Sequence, residues 1–177
     1  MSSHLLKQIL SADQINIKVR QLGRTISQDY KDLNPVLIGV LNGGFIFLGD
    51  LIRNLKIIHE IDFIKISSYT NGSTSRDISL INDISMNITG RNILIVEDIV
   101  DTGNSLAYLK KHLGVHKPKN IKTCALIDKK ERREVEVSIE YGAFEVDGGF
   151  LIGYGMDYKG WGRNLKDIHV LNNKGGK

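Results

Sequence analysis

Ile93-Leu-Ile-Val-Glu-Asp-Ile-Val-Asp-Thr-Gly-Asn-Ser105 runs from aliphatic residues through paired acids into a glycine turn, and that order decides the fold. Ile93 to Val96 are apolar at successive positions. The strand they predict therefore needs cover on both faces, as in the middle of a parallel sheet. Glu97 and Asp98 fall at its carboxyl end, where open α/β sheets bind ligands. Asp101-Thr102-Gly103-Asn104-Ser105 then opens the helical spacing Leu106, Leu109, Leu113. Small residues with free N–H groups around a helix start make an anion cradle.

The same plan occurs once more upstream. After Pro35, the run Val36 to Leu41 reads as a buried strand, Asn42-Gly43-Gly44 as a turn, and Phe45, Leu48, Leu51, Ile52 and Leu55 as one face of a helix. Two strand–turn–helix units predict an α/β fold with a mostly parallel central sheet flanked by helices. Ser11-Ala-Asp-Gln14 has the form of a capping box, followed by Ile15, Val19, Leu22 and Ile26 at helical spacing. Ile61 to Ile66 predicts another strand, and Ser67 to Ser75 a polar loop, with a short strand from Ile78 to Ile81 inside the same excursion. Gly114 and Pro118 are the expected stop of the helix that begins after Gly103, which ends near His112 or Leu113. Ile121 to Ile127, Phe150 to Tyr154 and Ile168 to Leu171 are the remaining predicted strands.

Composition narrows the class. The chain has 177 residues, of which 41% are hydrophobic and 25% charged, ordinary values for one soluble domain spanning residues 1–177. A net charge of +4 permits anionic partners without selecting among them. The lone Cys124 excludes an internal disulfide, the start MSSHLLKQILSADQ lacks a signal-peptide core, and no apolar run approaches the roughly 20 residues of a membrane span. A cytoplasmic enzyme or binding protein is expected. No G-x-x-x-x-G-K-[ST] occurs, and Gly153, Gly155 and Gly160 lack dinucleotide-fingerprint spacing, which disfavours a P-loop kinase or a dehydrogenase. His112 and His116 have helical i, i+4 spacing, but Gly114 stands between them and lysines flank them, so solvated surface histidines are expected there.

An apolar strand, Glu-Asp, two apolar residues, Asp-Thr-Gly and a hydroxyl residue together resemble the phosphoribosyl-diphosphate (PRPP) motif of the type I phosphoribosyltransferases. Further elements match in order and spacing: Leu41-Asn-Gly-Gly44, Ser68-Tyr69, Asp128-Lys129, and Phe150-Leu-Ile-Gly-Tyr-Gly-Met-Asp-Tyr158 with Arg163 beyond. They are similar to the hypoxanthine-guanine members of that family, and the resemblance spans about Val36 to Leu171. It implies transfer of the 5-phosphoribosyl group from PRPP to hypoxanthine or guanine, releasing pyrophosphate, with Mg²⁺ as cofactor. It also implies a small hood built from the N-terminus and about residues 128–171, and a homodimer or homotetramer.

By the same resemblance, Asp101 is the general base. Glu97 and Asp98 lie near the ribose hydroxyls and the metal, and Thr102, Gly103, Asn104 and Ser105 hold the 5′-phosphate. Asn42, Gly43, Gly44, Ser68, Tyr69 and Arg163 meet the pyrophosphate. Lys129 reads the 6-oxo group of the purine, Phe150 stacks on its face, the main chain of Leu151 reads its edge, and Asp157, grouped with these purine contacts, binds the second Mg²⁺ or its waters. The residue types suit these tasks: carboxylates accept from hydroxyls and bind hard cations, while an ammonium donates to an oxo group but cannot pair with an amino group.

Two departures and one backbone feature follow from the comparison. The family usually has Lys where this chain has Asn42, which removes a positive charge beside the pyrophosphate, and Asn104 replaces a residue that is often Lys or another polar side chain. The family's first turn often carries a non-proline cis peptide, expected here between Leu41 and Asn42. The segment from Ser67 to Asp83 is expected to act as a lid. Rival readings are a xanthine- or pyrimidine-directed member of the family and an RNA-binding regulator on the same fold. The scatter of Lys and Arg among acids weighs against nucleic acid.

Overall fold

The computed structural model describes residues 6–70 and 76–171. Strand β1 (Leu6–Leu10) leads into helix α1 (Ala12–Asp29), then β2 (Val36–Leu41), α2 (Phe45–Ile52), β3 (Glu60–Thr70), β4 (Arg76–Asn82), β5 (Asn92–Val100) and α3 (Asn104–Gly114). The chain ends in β6 (Asn120–Asp128), β7 (Tyr141–Glu145), β8 (Leu151–Ile152) and β9 (Ile168–Leu171). Six strands form the main sheet in the order β4-β3-β2-β5-β6-β7. Every pairing in it is parallel except β3 with β4. Among the described residues no helix is long and apolar enough to cross a membrane.

The unbroken apolar runs are explained by cover on both faces. In β2 and β5, Leu37, Leu94 and Val96 join α1 and α2 in one core. The alternate residues Val36, Ile38, Val40, Ile93 and Ile95 join Leu106, Leu109 and Leu113 of α3 in the other. A side-chain period of 2 sorts one strand between two cores. Helix α1 starts at the predicted capping box, with Gln14 N–H donating to Ser11 Oγ and Ser11 N–H to Gln14 Oε1. Its predicted face, Ile15, Val19, Leu22 and Ile26, is buried.

The order of strands places the functional end of the sheet. The β2–β3 crossover runs one way and the β5–β6 crossover the other, so β2 and β5 flank the switch point where α/β sheets open a crevice. Pairing of β5 with β2 stops at Gly39↔Val96, while pairing with β6 continues to Val100↔Asp128. Residues 97–100 thus have a neighbour on one edge only. Strand β5 extends through Glu97 and Asp98 rather than stopping before them, because β6 keeps supplying backbone partners.

Several expected elements take different bounds. Ser67 to Thr70, the first part of the expected polar loop, belongs to β3 and pairs with β4. Residues 71–75 lie outside the described part. Helix α3 runs through Gly114 and is capped at Val115. The chain then leaves it by i→i+3 bonds from Val115, His116 and Lys117, and the left-handed residue is Lys117. Strands β1 and β7 were not expected. The expected strand Phe150 to Tyr154 is confined to Leu151–Ile152. It joins β9 and β1 in a second antiparallel sheet of order β1-β9-β8. Ala12 N–H donates to Asp167 Oδ1 at 2.7 Å, tying the start of α1 to this sheet.

Candidate active site

The side chains of Glu97 and Asp98 lie within hydrogen-bond reach of each other at the end of β5, and each lines one of two adjoining cavities. Glu97, Ile99 and residues 100–103 and 105–106 line a cavity of about 160 Å³ at the start of α3. Asp98 lines a larger one, about 570 Å³, shared with Asn42, Gly43, Asp101 and Lys129, and closed from the second sheet by Phe150, Leu151, Asp157 and Arg163. Most of the expected site residues therefore meet at two adjoining cavities at the sheet's switch point.

The smaller cavity has the features of an anion site. Gly103, at φ 87°, is the N-cap of α3 and no side chain caps the helix there. A Cβ on Gly103 would stand 2.3 Å from the carbonyl oxygen of Val135, so only glycine fits. The backbone N–H groups of Glu134 and Val135 donate to Thr102 O at 2.9 and 3.0 Å. Asn104 Nδ2 donates to Glu134 Oε2 at 2.6 Å and to Thr102 Oγ1 at 3.3 Å, so its side chain is engaged with the neighbouring loop. Ser105 lines the same cavity.

In the larger cavity, Lys129 is only 5% exposed and its Nζ stands 3.6 Å from Asp101 Oδ1. Arg132 Nη1 is 3.4 Å from Asp101 Oδ2. Arg133 locks the backbone beneath: Nε donates to Asp101 O at 3.0 Å, Nη2 to Val100 O at 3.2 Å and to Asp128 Oδ1 at 2.5 Å. The charged run 128–134, which by pattern alone reads as a solvated face, is folded back onto the end of β5. Arg132, Arg133 and Glu131 were missed in the sequence. The one signal for them is indirect, a glycine at position 103 that invites close approach of another backbone.

Phe150 is 48% exposed and lines the larger cavity. It meets Tyr158 edge to face at 5.4 Å, and Tyr158 meets Trp161 in the same way at 5.7 Å. Leu151 is buried beside it and paired with Val170. Asp157 Oδ2 accepts from Gly160 N–H at 2.7 Å, and its Oδ1 is 2.5 Å from Arg163 Nη2. Arg163 Nη1 donates to Gly155 O at 2.7 Å, so the guanidinium closes its own loop as well as lining the cavity. That loop abuts the turn after β2: a Cβ on Gly155 would stand 2.2 Å from Gly43 O. The Leu41–Asn42 bond is cis, as expected. Gly44 is the N-cap of α2. The side chains of Ser68 and Tyr69 lie outside the described part of the structure.

The two acids of β5 are electrostatically costly. Burial, with the neighbouring Asp98 charge second, holds the Glu97 carboxyl well above the ordinary range. Burial also raises Asp98, against hydrogen bonds and the Arg163 charge that pull it down. Neither makes an ion pair among the described residues.

A sheet open at its switch point, a glycine-turned helix start and paired acids at the end of β5 form the frame of a site suited to a phosphorylated ligand. The chain belongs to the phosphoribosyltransferase family: the model of the phosphoribosyl transferase domain matches residues 6–159. It is 41% identical to the hypoxanthine phosphoribosyltransferase of Salmonella typhimurium over 158 residues, 88% of this chain and 89% of that one. Identity to the Escherichia coli hypoxanthine phosphoribosyltransferase is 40% over 168 residues, 93% of this chain and 94% of the other. A crystal structure of a hypoxanthine-guanine phosphoribosyltransferase from Bacillus anthracis superposes with a TM-score of 0.89 at 42% identity, covering 93% of this chain and 98% of that one.

Proposed function

We propose that this enzyme of purine salvage transfers the 5-phosphoribosyl group of PRPP to hypoxanthine or guanine, giving the nucleoside 5′-monophosphate and pyrophosphate. The observation that carries the choice of base is the buried Lys129 beside Asp101, in a cavity with the exposed ring of Phe150 on its wall. A donor-only ammonium suits a 6-oxo group, and a free aromatic face suits a purine ring.

In this reading the C1–O bond of PRPP breaks and its electron pair leaves with pyrophosphate. The purine ring nitrogen forms the new bond to C1, and its proton passes to the Asp101 carboxylate. Lys129 donates to the 6-oxo group, Leu151 presents backbone to the base edge, and Phe150 holds the ring. Backbone and hydroxyl groups of residues 102–105 anchor the 5′-phosphate at the start of α3. Asn42, Gly43 and Gly44, with Arg163, bound the pyrophosphate side, and Ser68 and Tyr69 are assigned there by resemblance alone. The β3–β4 arm is the candidate lid, and the sheet β1-β9-β8 with its loops is the hood.

Magnesium fits the donor set. Glu97 and Asp98 are oxygen-only ligands, buried and in no ion pair among the described residues, and Asp157, paired with Arg163, adds a third carboxylate at the cavity wall. An ion here supplies positive charge against the departing pyrophosphate. Self-association is supported by Phe45, Ile61 and Phe63, which stay exposed on α2 and β3 and favour a homodimer or homotetramer.

The test is to supply PRPP and Mg²⁺ with hypoxanthine, guanine, xanthine or uracil and identify the nucleotide formed. Hypoxanthine and guanine are expected to be consumed with one pyrophosphate each. Turnover with uracil alone would sink the purine assignment, and none with any base would favour a binding protein.

A further inference from the structure

The carboxyl end of α3 carries a group of ligating side chains that phosphoribosyl transfer leaves unused. His112 lies in the last turn of α3, and the i→i+3 bonds that carry the chain past Gly114 keep it coiled as far as His116. The two imidazole rings are 5.7 Å apart, inclined at 71°. Asp83 arrives from the other direction, just after β4, with Oδ1 2.9 Å from His112 Nε2. One ligand atom from each of Asp83, His112 and His116 lies within 4.8 Å of the other two.

Two of the three groups are already oriented. Ile84 N–H donates to Asp83 Oδ1 at 2.8 Å, and the His112 ring stacks on Tyr108 at 6.1 Å with the planes 4° from parallel. His116 is exposed and free to turn toward them. Metal–ligand bonds of about 2.0–2.2 Å set ligand atoms on one ion roughly 3.3 Å apart, so small side-chain rotations suffice. Two imidazoles and a carboxylate suit borderline transition ions rather than magnesium, and the remaining position stays open to water.

We propose that Asp83, His112 and His116 bind a zinc-class divalent ion, which staples the segment leaving the β3–β4 arm to the carboxyl end of α3. The sequence could not pair these residues, since Asp83 and His112 come from separate elements and meet only across the fold. An ordinary Asp83–His112 ion pair leaves His116 as an edge contact to His112 and a second positive charge near Asp83, whereas a shared ion makes all three ligands.

The test uses the full chain without a histidine tag, stripped of metal with chelator and titrated with Co²⁺ as a coloured stand-in for zinc. The unchanged chain is expected to take up one equivalent of Co²⁺ more than His116→Ala, displaceable by Zn²⁺. Asp83→Asn is expected to weaken that equivalent by more than about tenfold. Any Co²⁺ held by the acids of β5 stays the same in all three proteins and cancels in the comparison. Zn²⁺ should raise the unfolding temperature of the unchanged chain by more than that of His116→Ala, whose metal-free unfolding should match the unchanged chain. Equal stoichiometry and affinity in all three proteins would overturn the site and leave a plain ion pair.

Discussion

Lys129 Nζ stands 3.6 Å from Asp101 Oδ1, just beyond hydrogen-bond reach, and that carboxylate oxygen is buried without a hydrogen-bond partner among the described residues. A buried acceptor left unmade is costly, and here it lines the cavity assigned to the purine. An incoming ring N–H satisfies it. Asp101→Asn keeps the shape and removes the basicity, so kcat with hypoxanthine should fall by about 10²–10⁴-fold while KM for PRPP changes little. Steady-state kinetics with both substrates varied will show this, and an unchanged kcat would remove Asp101 from proton transfer.

Gly43 leaves room that no other residue can. A Cβ there would stand 1.8 Å from Asp98 Oδ2 and 2.5 Å from its Cγ. Gly43→Ala should push the carboxylate aside or open the turn, at a cost of about 1–3 kcal/mol, with turnover falling together with stability. Calorimetry and rate measurements on one preparation check both, and a variant equal to the parent in each would show that the contact is slack.

The acids of β5 set a pH dependence whose sign follows from their burial. The Glu97 carboxyl is held above its ordinary value of 4.5. Its proton therefore favours the folded state below that pH, and the contribution is lost as pH rises through the folded-state value. Glu97→Gln keeps the volume without the charge. Its unfolding free energy should decline less than the parent's as pH rises from 4.5, measured by denaturant titration without ligands. Parallel curves for the two proteins would contradict the assignment.

Asn42 lines the larger cavity, at the position where the family resemblance leads one to expect Lys. Asn42→Lys adds a cation on the side assigned to pyrophosphate, so KM for PRPP should fall several-fold, roughly the 1 kcal/mol scale of a charge-assisted hydrogen bond. The KM for hypoxanthine should move less. An unchanged or higher KM for PRPP would place the pyrophosphate elsewhere.

The sequence was most legible where one residue type repeated a simple period. The apolar runs at Val36 and Ile93, rich in β-branched residues, named the central strands, and Ser11 with Gln14 fixed the start of α1. Asp101 to Ser105 named the anion turn, because glycine and small polar residues have few other reasons to sit between such a strand and a helix. Elements that depend on distant partners were not legible. Leu6–Leu10 becomes a strand only because Ile168–Leu171 lies alongside, and Tyr141–Glu145, broken by Gly142, because β6 offers an edge. Ser67 to Thr70 looked polar enough for a loop but extends β3 against β4. Arg133 was hidden in a charged run whose folding over Asp101 is a tertiary fact.

The most direct test of the account is the ratio of kcat/KM for hypoxanthine to that for adenine in the unchanged chain, with Lys129→Met measured beside it. A buried ammonium that must be met by an oxo group should favour hypoxanthine by about 10³-fold or more, and Lys129→Met should lose most of that preference through hypoxanthine. Comparable rates with the two bases, or a preference that survives loss of the ammonium, would contradict the assignment of this cavity to a 6-oxopurine.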